Sequence, residues 1–332
     1  MFIVENYGFA ILLCVVTMLC WGSWANTQKL AGKSWRFELF YWDYVLGIVF
    51  LSLLFAFTLG SFGEGGRSFL TDLSQAELSN LGNAFLGGVI FNAANILVVA
   101  AIAIAGMSVA FPVGIGIALV LGVLINYLAT PKGDAVWLFS GVALITLAIV
   151  LDAVAYKRKA SQNQKVPTKG IVLAVSGGVL MALFYRFVAS SMAIDFRNPE
   201  PGLLSPYTAV VVFSIGVLVS NFIFNTILMK RPVEGSPVSY KQYFSGTLKE
   251  HLTGIAGGII WCIGMSLSII ASDKAGFAIS YGLGQGATLV AALWGVFIWK
   301  EFKGTDRVKG WLASMFILFF LGIGLIIYAG SI

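Results

Sequence analysis

Residues Gly87–Val120 return, without a gap, as Gly257–Val290. Shifting the numbering by 170 brings Gly87-Gly88 onto Gly257-Gly258, Ala105-Gly106 onto Ala275-Gly276, Gly114-x-Gly116 onto Gly284-x-Gly286, and Leu119-Val120 onto Leu289-Val290. Of the 34 aligned positions 11 are identical, more than a shared apolar composition accounts for. The chain is therefore read as two related halves. Duplication of this kind in a membrane protein is typical of transporters, whose site lies where the repeats meet.

Apolar runs set the class. Ten spans are expected near 7–30, 37–60, 81–104, 107–129, 135–155, 169–192, 203–228, 251–271, 275–299 and 308–330. Each is long enough to cross about 30 Å of hydrocarbon as a helix, the form that satisfies its own backbone hydrogen bonds in lipid. With 58% hydrophobic and 11% charged residues, the chain falls outside the range of soluble globular domains. The expected fold is an all-α integral membrane protein of ten transmembrane helices. It divides into a five-helix repeat over 1–155, a cytoplasmic linker over 156–169 and a second five-helix repeat over 170–332. Because five is odd, the second repeat is inverted relative to the first.

Charge sets the orientation. Loops following odd-numbered spans hold Lys29, Lys33, Arg36, Lys157, Arg158, Lys159, Lys165, Lys169, Lys230, Arg231, Lys241, Lys249, Lys300, Lys303, Arg307 and Lys309. The opposite side holds Arg67, Lys132, Arg197 and Lys274. By the positive-inside rule the first set faces the cytoplasm and both termini face outward. The net charge of +6 then reflects topology and contact with anionic membrane lipid, and no nucleic acid partner is expected.

Depth along each helix picks out the candidate site. Asn92 and Asn95 fall near the middle of span three, Trp261 and Gln285 at similar depth in spans eight and nine, and Tyr281 one turn before Gln285. Tyr185 of span six, with Trp21 and Trp24 of the first span, completes the expected substrate-binding set. Amides at mid-membrane depth are favoured where they face a cavity or hydrogen-bond another helix. Asp43, Asn26 and Arg186 are candidates for coupling or gating; Arg186 can equally snorkel to the outer interface. Pro112, Gly114, Gly116, Gly284 and Gly286 are expected to loosen their helices at matching places in the two halves. Asp152 reads as part of the basic edge around Lys157–Lys159. The single histidine, His251, lies beside a loop, and Cys14, Cys20 and Cys262 form no metal-spaced or disulfide pattern. Without a nucleophile–base pair, clustered ligands or paired acids at depth, neither an embedded enzyme nor a metal or cofactor is expected. A channel would show conductance without saturation, and a sensor binding without flux.

Several short stretches, in order along the chain, carry a family resemblance: Val4-Glu5-x-x-Gly8, Gly22-Ser23-Trp24, Tyr41-Trp42-Asp43-Tyr44, Phe57-Thr58-Leu59-Gly60, Leu73-Ser74-Gln75, Gly106-Met107-Ser108-Val109, Asn126-Tyr127, Ala275-Gly276-Phe277-Ala278, and Trp294-Gly295 with Lys300-Glu301-Phe302. The pattern resembles the drug/metabolite transporter superfamily and, more closely, the ureide permease family and its bacterial relatives. That resemblance implies alternating-access uptake of a small neutral heterocycle such as allantoin or uracil, coupled to protons, across a bacterial inner membrane. It marks Trp24 and Asp43 as functional positions. Glucose, ribose and rhamnose permeases form a related branch, so a sugar is the rival substrate, with multidrug export third. The short 156–169 linker departs from plant members, which have a long central loop with a phosphate-loop-like sequence.

Overall fold

The computed structural model describes residues 1–32, 34–159 and 167–332. Lys33, Lys165 and the 160–166 part of the linker lie outside the described residues. Among the described residues, ten helical spans are long and apolar enough to cross a membrane. In chain order the helices are α1 Tyr7–Ser23, α2 Ala25–Ala31, α3 Phe37–Phe57, α4 Phe69–Gln75, α5 Leu78–Ala105, α6 Met107–Ala129, α7 Ala135–Lys159, α8 Thr168–Ser190, α9 Pro206–Lys230, α10 Tyr240–Phe244, α11 Leu248–Ala275, α12 Phe277–Gln285, α13 Ala287–Leu293 and α14 Lys309–Ala329. Helices α1 and α2 together make the first span, and α12, α13 and a π turn over Trp294–Ile298 make the ninth.

Local chemistry starts and stops these helices. The Asn6 side chain accepts from the Phe9 amide at the head of α1, and Ser205 caps α9 just before Pro206. Thr247 and Glu250 form a reciprocal capping box on α11. The two copies of the repeated stretch end their first helix alike. Gly106 stops α5 at φ +77°, and Gly276 stops α11 at φ +83°, a backbone region that glycine enters without a steric penalty.

Helix α5 packs on α8, α9 and α6, whereas α11 packs on α3, α1 and α12. Helices α7 and α14 lie together, and α3 crosses α9. The two central crossings are very close. A Cβ at Gly88 would lie 2.0 Å from the Phe213 carbonyl oxygen of α9, and one at Gly258 would lie 1.9 Å from the Tyr44 carbonyl oxygen of α3. Small residues let backbones approach in this way where lipid gives helices no hydrophobic reason to associate. Large exposed side chains such as Phe50, Leu128, Phe222, Ile223 and Phe320 stud the outer surface, as expected where hydrocarbon replaces water.

At the end away from the basic loops, α4 and its flanking turns clasp the loop before α9. Arg67 pairs with the fully buried Asp72 at 2.9 Å and donates to the Leu203 and Pro199 carbonyls, while the Ser205 amide donates to Asp72 Oδ2.

The expected loosening of spans four and nine appears in one of them. The ninth breaks at Gly286, between α12 and α13. The fourth runs as one helix through Pro112, Gly114 and Gly116, because Pro112 sits near its start, where few backbone bonds are lost. Gly284 and Gly286 admit Trp21 and Met18 of α1, whereas in the fourth span it is Gly178 of α8 that admits the α6 backbone at Gly114.

Candidate functional site

A cavity of about 410 Å³ enters the bundle from the basic end. Its inner wall is aromatic, formed by Trp21, Phe91, Phe184 and Trp261. Trp261 holds this wall together, with ring centroids 4.3 Å from Phe91 and 6.0 Å from Trp21, the latter nearly parallel at 12°. The Trp21 indole donates to the Trp261 carbonyl at 3.2 Å, tying α1 to α11. Another hollow of similar volume, against Leu30, Leu248 and Leu252, lies among exposed apolar side chains and is a lipid-facing groove.

Two amides complete the deep end. Asn95 Nδ2 donates to the Tyr41 hydroxyl at 3.1 Å, which leaves its carbonyl oxygen without a partner among the described residues. The Gln285 side chain has no hydrogen-bond partner among the described residues, although it is only 7% exposed and lines the cavity. A buried primary amide without a partner is costly, so its placement on a cavity wall marks a group available to a ligand. Acceptor and donor are both offered, beside apolar ring faces.

The mouth lies at the basic end and is ringed by Lys29, Asp152, Tyr156, Trp299 and Glu301. Glu301 accepts from the Tyr156 hydroxyl at 2.7 Å and pairs with Lys29 at 3.2 Å. Burial pushes the Glu301 carboxyl up, but the hydroxyl and the ammonium outweigh it and leave the carboxyl below its usual range. Lys29 also lies 4.7 Å over the Trp299 ring, and the Trp299 indole donates to Asn26 at 2.6 Å. The Trp294 indole donates to Ser23 at 2.9 Å, so the last turn of the ninth span is stitched to the end of the first.

Beyond Gln285, toward the opposite end, side chains fill the bundle. The Tyr281 hydroxyl donates to the Ala118 and Met181 carbonyls. Tyr185 hydrogen-bonds Ser268 at 3.1 Å and Ser280 at 3.3 Å. Thr17 donates to the Gly264 carbonyl at 2.9 Å. Tyr185 and Tyr281 are fully buried.

Of the side chains expected to bind substrate, Trp21, Trp24, Asn95, Trp261 and Gln285 come together on the cavity wall. Asn92, Tyr185 and Tyr281 do not line it. Asn92 is fully buried against Tyr41 and Ser220, at 2.9 Å from each, and the two tyrosines belong to the packed end. Asn26 stands at the mouth, while Arg186 lies outside the cavity on the same stretch of α8 as Tyr185. Asp43 is also remote from the cavity. Its Oδ1 accepts from the Tyr243 hydroxyl at 2.7 Å and meets His251 Nδ1 at 2.9 Å, so the histidine beside the loop is the partner of this buried acid. Burial pushes the Tyr243 hydroxyl up, and the carboxylate it donates to pushes it further. Asp152, read from the sequence as part of the basic edge, is on the cavity wall instead.

Phe91, Phe184, Tyr156, Thr288 and Glu301 were missed by residue chemistry alone. Phe91 was within reach, since the shift of 170 pairs it with Trp261. Tyr156 lies four residues after Asp152 and so shares its helix face.

The ureide permease family model matches residues 40–169 and 164–329. This chain belongs to the ureide permease family. Its members are transporters, not enzymes. Ureide permease 1 of Arabidopsis thaliana is 23% identical over 98% of this chain and 98% of its own length. A probable ureide permease A3 of Vigna unguiculata is 22% identical over 92% of this chain and 98% of its own. The alignment with ureide permease 1 runs over 385 positions against a 332-residue chain, so that relative has segments with no counterpart here. Transmembrane protein 144 homolog B of Dictyostelium discoideum matches 49% of this chain at 25% identity. These organisms give no support to a bacterial inner membrane. One solved crystal structure superposes with a TM-score of 0.63 over 97% of this chain and 96% of that chain, at 16% identity, a likeness of fold.

Proposed function

We propose that this protein carries a ureide or a nucleobase-like heterocycle across the membrane by alternating access. The observation that bears this reading is the pairing of an aromatic wall with the unspent Asn95 carbonyl and Gln285 amide in a cavity entered from one end. A planar ring with carbonyl and N–H groups matches both features, and the family's members are named for ureides.

Mechanism follows from the unequal ends. The conformation described here is open at the basic end, taken as cytoplasmic from the charge asymmetry, with both termini outside. Switching requires the Thr17, Tyr185 and Tyr281 contacts to part while the mouth around Lys29, Trp299 and Glu301 shuts.

An inverted repeat supplies the second state. Exchanging each helix with its counterpart turns the α5 contacts with α8, α9 and α6 into the α11 contacts with α1, α3 and α12. The glycine crossings at Gly88 and Gly258 are also related by the shift of 170. These correspondences support the drug/metabolite transporter arrangement. Proton coupling is part of the proposal, because the cavity wall includes a carboxyl group.

The test is counterflow into proteoliposomes with labelled allantoin, uracil, xanthine, glucose and ribose. Saturable exchange of a ureide or nucleobase, lost in folded Trp261→Ala, is the expected result. Exchange of sugars alone, or of none of these, would overturn the substrate assignment.

A further inference from the structure

We propose that Asp152 is the proton-binding group of the transport cavity, charged while the mouth is open and neutral once it has closed. This rests on reading the cavity as a transport site. Asp152 is the sole acidic residue of α7, placed after four turns of apolar and small side chains and one turn before Tyr156. It lines the cavity, and it has no hydrogen-bond or ion partner among the described residues.

The neighbouring charges are committed elsewhere. Lys29 is held by Glu301 and by the Trp299 ring. Tyr156 donates its hydroxyl to Glu301. On α7 itself, Arg158 lies 4.4 Å over the Trp311 ring, Lys159 lies 5.3 Å over the Phe302 ring, and Lys157 is exposed. Helix α6, packed against α7, has no titratable side chain between Met107 and Asn126. Helix α14, the other neighbour, has Lys309 at its basic end and Tyr328 at its far end, and the short turn before it adds Asp306 and Arg307 to the sequence there. Two carboxyl groups thus share one mouth. Glu301 has a cation, and Asp152 has none.

That asymmetry gives the proton a role. With the mouth open, water solvates the Asp152 carboxylate. Closing the mouth removes that water and puts an uncompensated charge among aromatic and apolar groups, which is strongly unfavourable. Taking up a proton removes the obstacle, so the closed, substrate-filled state is favoured in the protonated form. The proton crosses with the substrate and leaves on the far side, and the emptied carrier returns with Asp152 charged and water in the substrate's place. A proton gradient then biases the direction of a neutral substrate that cannot itself respond to it. Asp43 is unsuited to this part, since it does not line the cavity and its Oδ1 is already bonded to Tyr243 and His251.

The deciding experiment is an infrared titration of the purified protein in lipid, which requires no substrate. Acidification is expected to raise a protonated-carboxyl band that is lost in Asp152→Asn, kept in Asp43→Asn and moved in Asp152→Glu. A band unchanged in Asp152→Asn, or unmoved in Asp152→Glu should the asparagine variant not fold, would overturn the proposal. In proteoliposomes, the acceleration of uptake by a proton gradient is expected to disappear in Asp152→Asn and to return in Asp152→Glu. Acceleration that persists in Asp152→Asn would also overturn it. Failure of the wild type to move any ureide or nucleobase would instead count against the transport reading, while the infrared result still decides Asp152.

Discussion

Gln285 and Asn92 are amides at similar depth in the membrane, yet truncating each should have opposite consequences. Gln285→Ala removes a group with no partner among the described residues, so the fold loses little. What it removes is one or two hydrogen bonds to a bound ring, each worth about 0.5–1.5 kcal/mol. The half-saturation concentration should therefore rise about 2- to 150-fold, with the melting temperature unchanged. Asn92→Ala instead cuts bonds to Tyr41 and Ser220, both 2.9 Å long and fully inside the bundle. Interhelical hydrogen bonds in membranes average about 0.6 kcal/mol and reach about 1.7, so about 1–3 kcal/mol of stability is at stake. Affinity should barely change in whatever Asn92→Ala protein remains folded. Counterflow titration paired with thermal unfolding in detergent measures both quantities on the same samples. A Gln285→Ala protein that melts early but binds normally would refute the reasoning, because the amide would then be a packing group.

The central crossings should be intolerant of a methyl group. Gly88→Ala and Gly258→Ala each place a Cβ about 2 Å from a backbone oxygen, and overpacking of this kind costs about 1–3 kcal/mol, read as loss of folded protein. At the clasp away from the basic end, Arg67→Ala leaves the buried Asp72 carboxyl without its cation. The expected loss is about 3–5 kcal/mol, and recovery of stability in the double variant Arg67→Ala, Asp72→Asn would support that cause. The Lys29–Glu301 pair should contribute under about 1 kcal/mol, since the Lys29 side chain is 50% exposed. Because the folded Glu301 carboxyl lies below its ordinary value of 4.5, this contribution is complete above that value and fades as pH falls through the lower folded one. The stability gap between wild type and Glu301→Gln should accordingly close on acidification. A gap that widens would refute the pairing.

Most of the fold was legible because lipid leaves a chain few choices. A run of apolar residues must be a helix there, so ten runs gave ten spans, with ends within a few residues of those expected. Two of the glycines paired by the shift of 170 were legible as helix ends for a similar reason. Gly106 and Gly276 stop their helices in the same left-handed geometry, which restricts the residue type strongly enough to persist in both copies. The interruption of the ninth span was legible at Gly286, but its counterpart was not, because Pro112 falls within the first two turns of α6 and breaks nothing there.

The site was legible only as a depth, since depth depends on distance along a helix whereas cavity lining depends on which way that helix is turned. Asn92 and Asn95 differ by three residues on α5 and both bond the Tyr41 hydroxyl, yet Asn92 also bonds Ser220 inside the bundle while Asn95 reaches the cavity. That rotation is fixed by Gly88, which must face α9 at the close crossing. A helix turns about 100° per residue, so Asn92, four residues on, lies about 40° to one side of the Gly88 direction and Asn95, at seven, about 20° to the other. That separation of about 60° puts one amide inside the bundle and the other on the cavity wall. The charged rim was hidden for a different reason. Lys29, Tyr156 and Glu301 come from three distant parts of the chain, and only their meeting gives Glu301 its cation and denies one to Asp152. Read singly along the sequence, Asp152 is an acid beside three basic residues and looks neutralised. In the bundle Arg158 and Lys159 lie over Trp311 and Phe302, Lys157 is exposed, and the acid is left on the cavity wall.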